Sequence, residues 1–254
     1  MKKTVLTLTI ILAMVWWNAS AQDTVADQLN RAMDMLRQGQ KTEASAILAE
    51  IMKTHPHNKT AVQYWLMANM KRVPDGELQA IGQLDSLAMQ YPDNTGIIFF
   101  RTFIQAEYGK SEEALAGFES LIQLQPDTAV NYIGKGQVLS SINRYEEALQ
   151  AFDKATTLNP LRMDVWGMKA SSLAHLHRYD EALAAIGKAV ELAPEHPLNK
   201  YNRACIYCLT GDRVHALDDL KTACEKMPRL KESARKDEDF KSLWEDEEFI
   251  RITQ

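Results

Sequence analysis

The residues best suited to chemistry are three cysteines and a few histidines. Cys205-Ile206-Tyr207-Cys208 is a Cys-x-x-Cys pair, and Cys224 is the only other cysteine. In redox sites such a pair opens a helix, where the helix dipole lowers the thiol pKa. The hydrophobic pattern places this pair mid-way along a helix instead, with Cys224 on the next one. Small half-buried thiols, or an incidental disulfide, account for that placement better than redox chemistry does. His175, His177 and His215 are metal-ligating residue types, and they come near Cys208 if successive helical units stack in register. None has the ligand spacing of a structural zinc site, so the sequence assigns no metal and no cofactor. His55 and His57 read as loop residues. The chain has no Gly-rich phosphate loop, no nucleophile elbow and no HExxH. No catalytic residue is therefore assigned, and the expectation is a protein that is not an enzyme.

The elements that carry these residues repeat. Arg144-Tyr145-Glu146-Glu147-Ala148-Leu149 returns 34 residues later as Arg178-Tyr179-Asp180-Glu181-Ala182-Leu183. Pro92, Pro126, Pro160, Pro194 and Pro228 keep the same interval, and Ala80, Ala114, Ala148, Ala182 and Ala216 each lie twelve residues before one of them. A further twelve residues back stand Ala68, Thr102, Gly136, Ala170 and Ala204. Each unit reads as two amphipathic helices, an A helix such as 129–142 and a B helix such as 145–158. Small residues at Gly136 and Ala148 let the pair approach, while Tyr132, Leu139, Leu149 and Phe152 form the apolar stripe. Proline stops helix B, and Gly39, Gly109 and Gly211 end A helices as left-handed caps. Acidic residues such as Glu112, Glu113, Glu146 and Glu147 open B helices, where the dipole favours them. A lone unit cannot bury its apolar face, so stacking is obligatory.

This period and these positions resemble the tetratricopeptide repeat family over most of the chain. The resemblance implies an all-α, right-handed superhelical solenoid of helix-turn-helix repeats. Six units are expected at 25–58, 61–94, 95–128, 129–162, 163–196 and 197–228. A two-residue insertion falls in His57-Asn58-Lys59-Thr60, and Pro74-Asp75-Gly76 forms the turn of the least regular unit. Residues 229–254 bring Phe240, Leu243, Trp244, Phe249 and Ile250, suited to sealing the apolar end of a stack. That segment also looks like the ending of many bacterial arrays of the family.

Residues 1–21 differ from all that follows. Lys2 and Lys3 precede an apolar run from Val5 to Trp17, then Asn18-Ala19-Ser20-Ala21. This is a secretory signal with cleavage expected after Ala21, and the run is shorter than the roughly 20 residues of a spanning helix. No cysteine stands directly after the apolar run, the first being Cys205, which argues against a lipoprotein. Removing the signal leaves 27 basic against 34 acidic residues, with no polybasic run. Nucleic acid and membrane insertion are therefore not expected, and the chain should be periplasmic or secreted.

In the family resembled, A helices line a concave groove. At 34-residue steps the groove-facing position passes through Leu29, Trp65, Phe99, Ile133, Gly167 and Tyr201, allowing for the insertion. One turn on, it passes through Met33, Asn69, Phe103, Gln137, Ser171 and Cys205. The first half is aromatic; the second, with Ser140, Ser141 and Ala174, is small and polar. Such a groove suits an extended peptide, with an apolar anchor at one end and Asn69 and Gln137 meeting its backbone. Clamping a peptide's terminal carboxylate would need a basic set that Arg72 alone does not provide. The expected function is a protein-interaction scaffold that binds a protein or peptide partner in this groove. Two alternatives stay open: a structural or oligomerisation subunit using the convex face or the ends, and a redox or metal protein using the Cys205 neighbourhood.

Overall fold

The computed structural model describes residues 24–69 and 76–254, except for the side chains of 76–81 and 83. The expected signal sequence, Arg72, the Pro74-Asp75 turn and the Ala80 side chain lie outside the described residues. Among the described residues there are fourteen α-helices, one 3-10 helix and no strand. They form two compact units, one ending at Ile104 and the other running from Gln105 to Gln254.

The first unit contains α1 (Val25–Arg37), α2 (Lys41–Thr54), α3 (Lys59–Asn69), α4 (Gly76–Gln90) and the start of α5 (Thr95–Glu107). Thr24 caps α1 in a reciprocal box. Its hydroxyl accepts the Asp27 N–H (3.2 Å), and the Asp27 carboxylate accepts the Thr24 N–H (3.1 Å). Ala32, Ala44, Leu48, Ile51, Met52, Val62, Leu84 and Ile97 form the core. Asn94 is buried and joins α2 to α5. Its amide donates to the Met52 carbonyl (3.1 Å), while its Oδ1 accepts the N–H groups of Gly96 and Ile97.

The second unit continues with α6 (Ser111–Leu124), α7 (Ala129–Ser141), α8 (Tyr145–Leu158), α9 (Met163–His175), α10 (Tyr179–Leu192), α11 (Pro197–Leu209) and α12 (Arg213–Lys226). Consecutive members pack on one another, so the repeat-solenoid class expected from the period is the one observed. The periodic small residues Ala114, Ala148, Ala170, Ala182, Ala204 and Ala216 are fully buried. Gly136 sits over the Phe152 ring and Gly134 over the Phe118 ring; a methyl group at either position would collide with the aromatic carbons.

Among the described residues, the turn after an A helix keeps one conformation. Gly39, Gly109 and Gly211 have positive φ, as expected, and so do Asn143 (61°) and His177 (58°). Positions 109, 143, 177 and 211 are the same repeat position, so the left-handed turn is kept even where glycine is absent. Asparagine and histidine tolerate that region better than most side chains. Buried asparagines close the joints between units of the array, a feature the sequence reading missed. Asn131 Nδ2 donates to the Leu121 carbonyl (3.3 Å), and Asn199 Nδ2 donates to the Ala189 carbonyl (3.0 Å). Both carbonyls belong to the last turn of the preceding helix, where acceptors lack partners within the helix.

After α12 the chain forms α13 (Leu230–Ala234), a 3-10 helix (Glu238–Leu243) and α14 (Glu247–Thr253). Leu230, Ala234, Phe240, Leu243, Phe249 and Ile252 share one buried cluster with Tyr201, Leu217 and Leu220. Trp244 packs against this cluster, whereas Ile250, expected to join it, is exposed. Arg213 forks onto Asp246 (2.5 and 3.0 Å), and Asp246 in turn caps α14 through the N–H groups of Glu248 and Phe249.

Candidate functional site

The proposed ladder residues divide between the two units. In the first unit Leu29 and Trp65 are partly buried and pack against the core, and Met33 is also half-buried. The Asn69 amide is spent inside the fold, donating to Ser45 Oγ and to the Trp65 carbonyl, both at 2.8 Å. Phe99 is half-buried, edge-on to Phe100, with the Lys59 ammonium 4.2 Å above its ring. Burial pushes the Lys59 pKa down. Phe103, one turn further along α5, keeps 49% of its surface open.

The second unit differs. Gln137 and Ser171 are exposed as expected. Ile133 and Tyr201, expected to face a groove, are instead buried at 4% and 7% exposure. For Tyr201 the reason is the C-terminal segment: Phe240 packs edge-on against its ring at 5.5 Å, and its hydroxyl donates to Asp237 (2.8 Å). Ile133 belongs to the buried face of α7 with Asn131, Gly136 and Leu139, and a stripe at helical spacing serves the core before it serves a ligand. Ser140 is paired with Ser172 (3.2 Å), and Ser141 donates to the Val138 carbonyl (2.7 Å).

A cavity of about 400 Å³ lies where α9 and α11 meet the C-terminal segment. Ser171, His175 and His177 border it on one side, and Cys205, Asp237 and Asp239 on the other. Ligand atoms of the last three all lie within 4.8 Å of one another. His175 stacks on Tyr145 with centroids 4.5 Å apart, and His177 Nδ1 shares a hydrogen bond with the Tyr179 hydroxyl (2.8 Å). The sequence reading placed these histidines near Cys208 and His215. The structure brings them to Cys205 instead, while Cys208 contacts Ser242 (3.2 Å) and His215 bonds to Asp212 (2.7 Å).

The thiols are not built as nucleophiles. All three are free and buried. Burial raises each pKa; Asp237 and Asp239 push Cys205 further up, whereas Lys231 partly offsets the shift at Cys224. A protonated buried thiol lacks the reactivity that redox catalysis needs. Burial also raises the Asp239 carboxyl, with the Asp237 charge adding and His175 opposing. Tyr201 is raised by burial and by its bond to Asp237.

Residues 133–197 match the tetratricopeptide repeat family. No curated protein matches the chain. Among solved structures the chain is similar to Pseudomonas aeruginosa pilF, with 14% identity, a TM-score of 0.62, and coverage of 87% of this chain and 97% of that one. It is also similar to MamA, at 20% identity and TM-score 0.58, over 64% of this chain and 95% of that one. A third likeness is to YrrB, described as a TPR protein with an unusual peptide-binding site, at 20% identity and TM-score 0.56 over 71% and 92% of the two chains. At these identities the likeness shows the fold, a tetratricopeptide-type solenoid.

Proposed function

We propose that this chain is an exported, non-enzymatic adaptor of the cell envelope that binds an extended segment of a partner protein along its inner helices. The observation that carries the reading is Phe103, a large aromatic left 49% open on α5. Exposed aromatic surface of this kind anchors partners, because its burial on binding removes apolar area from water at little conformational cost. Phe99 extends the patch one turn back, and Lys59 adds a partly desolvated cation beside it. The likeness to a fold that in YrrB carries a peptide-binding site supports the same reading. Solenoids host many functions, so the fold alone would not select this one.

The test is a crosslinking pull-down from native envelope extract, comparing wild type with a Phe99→Ala/Phe103→Ala variant of verified fold. A partner captured by the wild type and lost by the variant supports the inner-helix site. A partner kept by both moves the interface to the outer face or to the ends. Trp65 is a poor target because it shares the core. Export is tested separately: protein from the envelope fraction should begin at Gln22.

A further inference from the structure

We propose that the cavity between α9, α11 and the C-terminal segment is a binding site for a divalent zinc-class metal ion, ligated by Cys205 Sγ and by carboxylate oxygens of Asp237 and Asp239. Three donors of mixed type already converge there, all within 4.8 Å of one another. Zinc bonds of about 2.0–2.3 Å to oxygen and sulfur would draw these atoms together by about an ångström, within the reach of side-chain rotation. Thiolate and carboxylate together form a donor set that suits a borderline-soft cation over calcium or magnesium.

Two further observations point to a ligand. The Cys205 side chain is only 7% exposed and borders the cavity, where its thiol donates a long 3.8 Å hydrogen bond to Asp237. His175, exposed and stacked on Tyr145, lines the same cavity but stands outside this group of three. Neither Asp237 nor Asp239 is paired with a lysine or arginine among the described residues. Tyr201 supplies the supporting bond that metal-ligating carboxylates usually have, its hydroxyl donating to Asp237. On binding, the Cys205 proton leaves to solvent and the sulfur binds as thiolate.

Sequence spacing hides this set because Cys205 lies on α11 and Asp237 lies 32 residues later, past two turns of the chain. A bound ion would staple the C-terminal segment to the last inner helix and so raise the melting temperature.

The experiment uses the full chain, reduced and stripped with chelator, and adds zinc chloride alone. The expected result is one equivalent retained after desalting, with a higher melting temperature that chelator reverses. Cobalt substitution should give a thiolate-to-metal charge-transfer band that Cys205→Ser abolishes. Asp239→Asn, at an exposed position whose side chain makes no structural hydrogen bond, should weaken zinc binding about 10–100-fold, and Tyr201→Phe, a positioning change, about tenfold. No retained zinc in the wild type overturns the proposal. So does equal zinc binding by Asp239→Asn, which keeps the test valid if the cysteine variant misfolds.

Discussion

The A helices of the two units place different side chains at the same repeat positions. In the first unit Leu29 and Trp65 pack against the core, while Phe103 keeps 49% of its surface open. In the second unit Ile133 and Tyr201 are absorbed into the core, and what remains accessible is polar, at Gln137 and Ser171. Whether a facing side chain stays open therefore depends on what packs over it, as Phe240 and Asp237 do over Tyr201.

The comparison breaks most sharply at Phe152. It is fully buried in the second unit, and Phe152→Ala should cost about 3–5 kcal/mol. Calorimetry should show a transition lowered by roughly 6–20 °C; a change near zero would mean that the second unit is not the tightly packed one. Gly136→Ala tests the same packing from the other side. The added methyl would meet Phe152 ring carbons, the nearest at 2.5 Å, and overpacking of this kind costs about 1–3 kcal/mol. A stabilised variant would show that the ring moves aside.

Asp246 sharpens the picture at the C-terminal end. The Arg213 hydrogen bond holds its carboxyl at about 2 against an ordinary 3.8, with the α14 N–H groups helping. A depressed carboxylate contributes stability that is fully present above the unfolded pKa and is lost as pH falls through the folded one. The melting temperature of wild type should therefore drop between about pH 4 and pH 2. Asp246→Asn should flatten part of that drop; parallel curves would remove Asp246 from the account. The smallest expected effect is that of Phe103→Ala, within about 0.5 kcal/mol of wild type in denaturant unfolding because no core depends on it. A loss comparable with Phe152→Ala would show that Phe103 is structural, and the contrast between the units would fail.

Much of the fold was legible in the chain because a fixed period writes the same local physics repeatedly. The alanines at the helix crossings, the prolines that end outer helices and the glycines at left-handed turns each follow from backbone geometry. The site was less legible. Facing positions could be counted along the ladder, but whether a facing side chain stays open depends on what later folds over it. Tyr201 is buried because Phe240 and Asp237 return to cover it, and Asn69 is unavailable because Ser45 on the neighbouring helix takes its amide.

By itself, then, the sequence determined the helical repeat class, since a fixed period of apolar and small residues writes the same local physics into each unit. The tertiary structure alone decided which aromatics remain free and which chemical groups meet. Cys205 had been placed by its near neighbour Cys208, yet its true companions are Asp237 and Asp239. Proximity in space between segments some thirty residues apart is set by how the last helices close over the array, and no local periodicity encodes that.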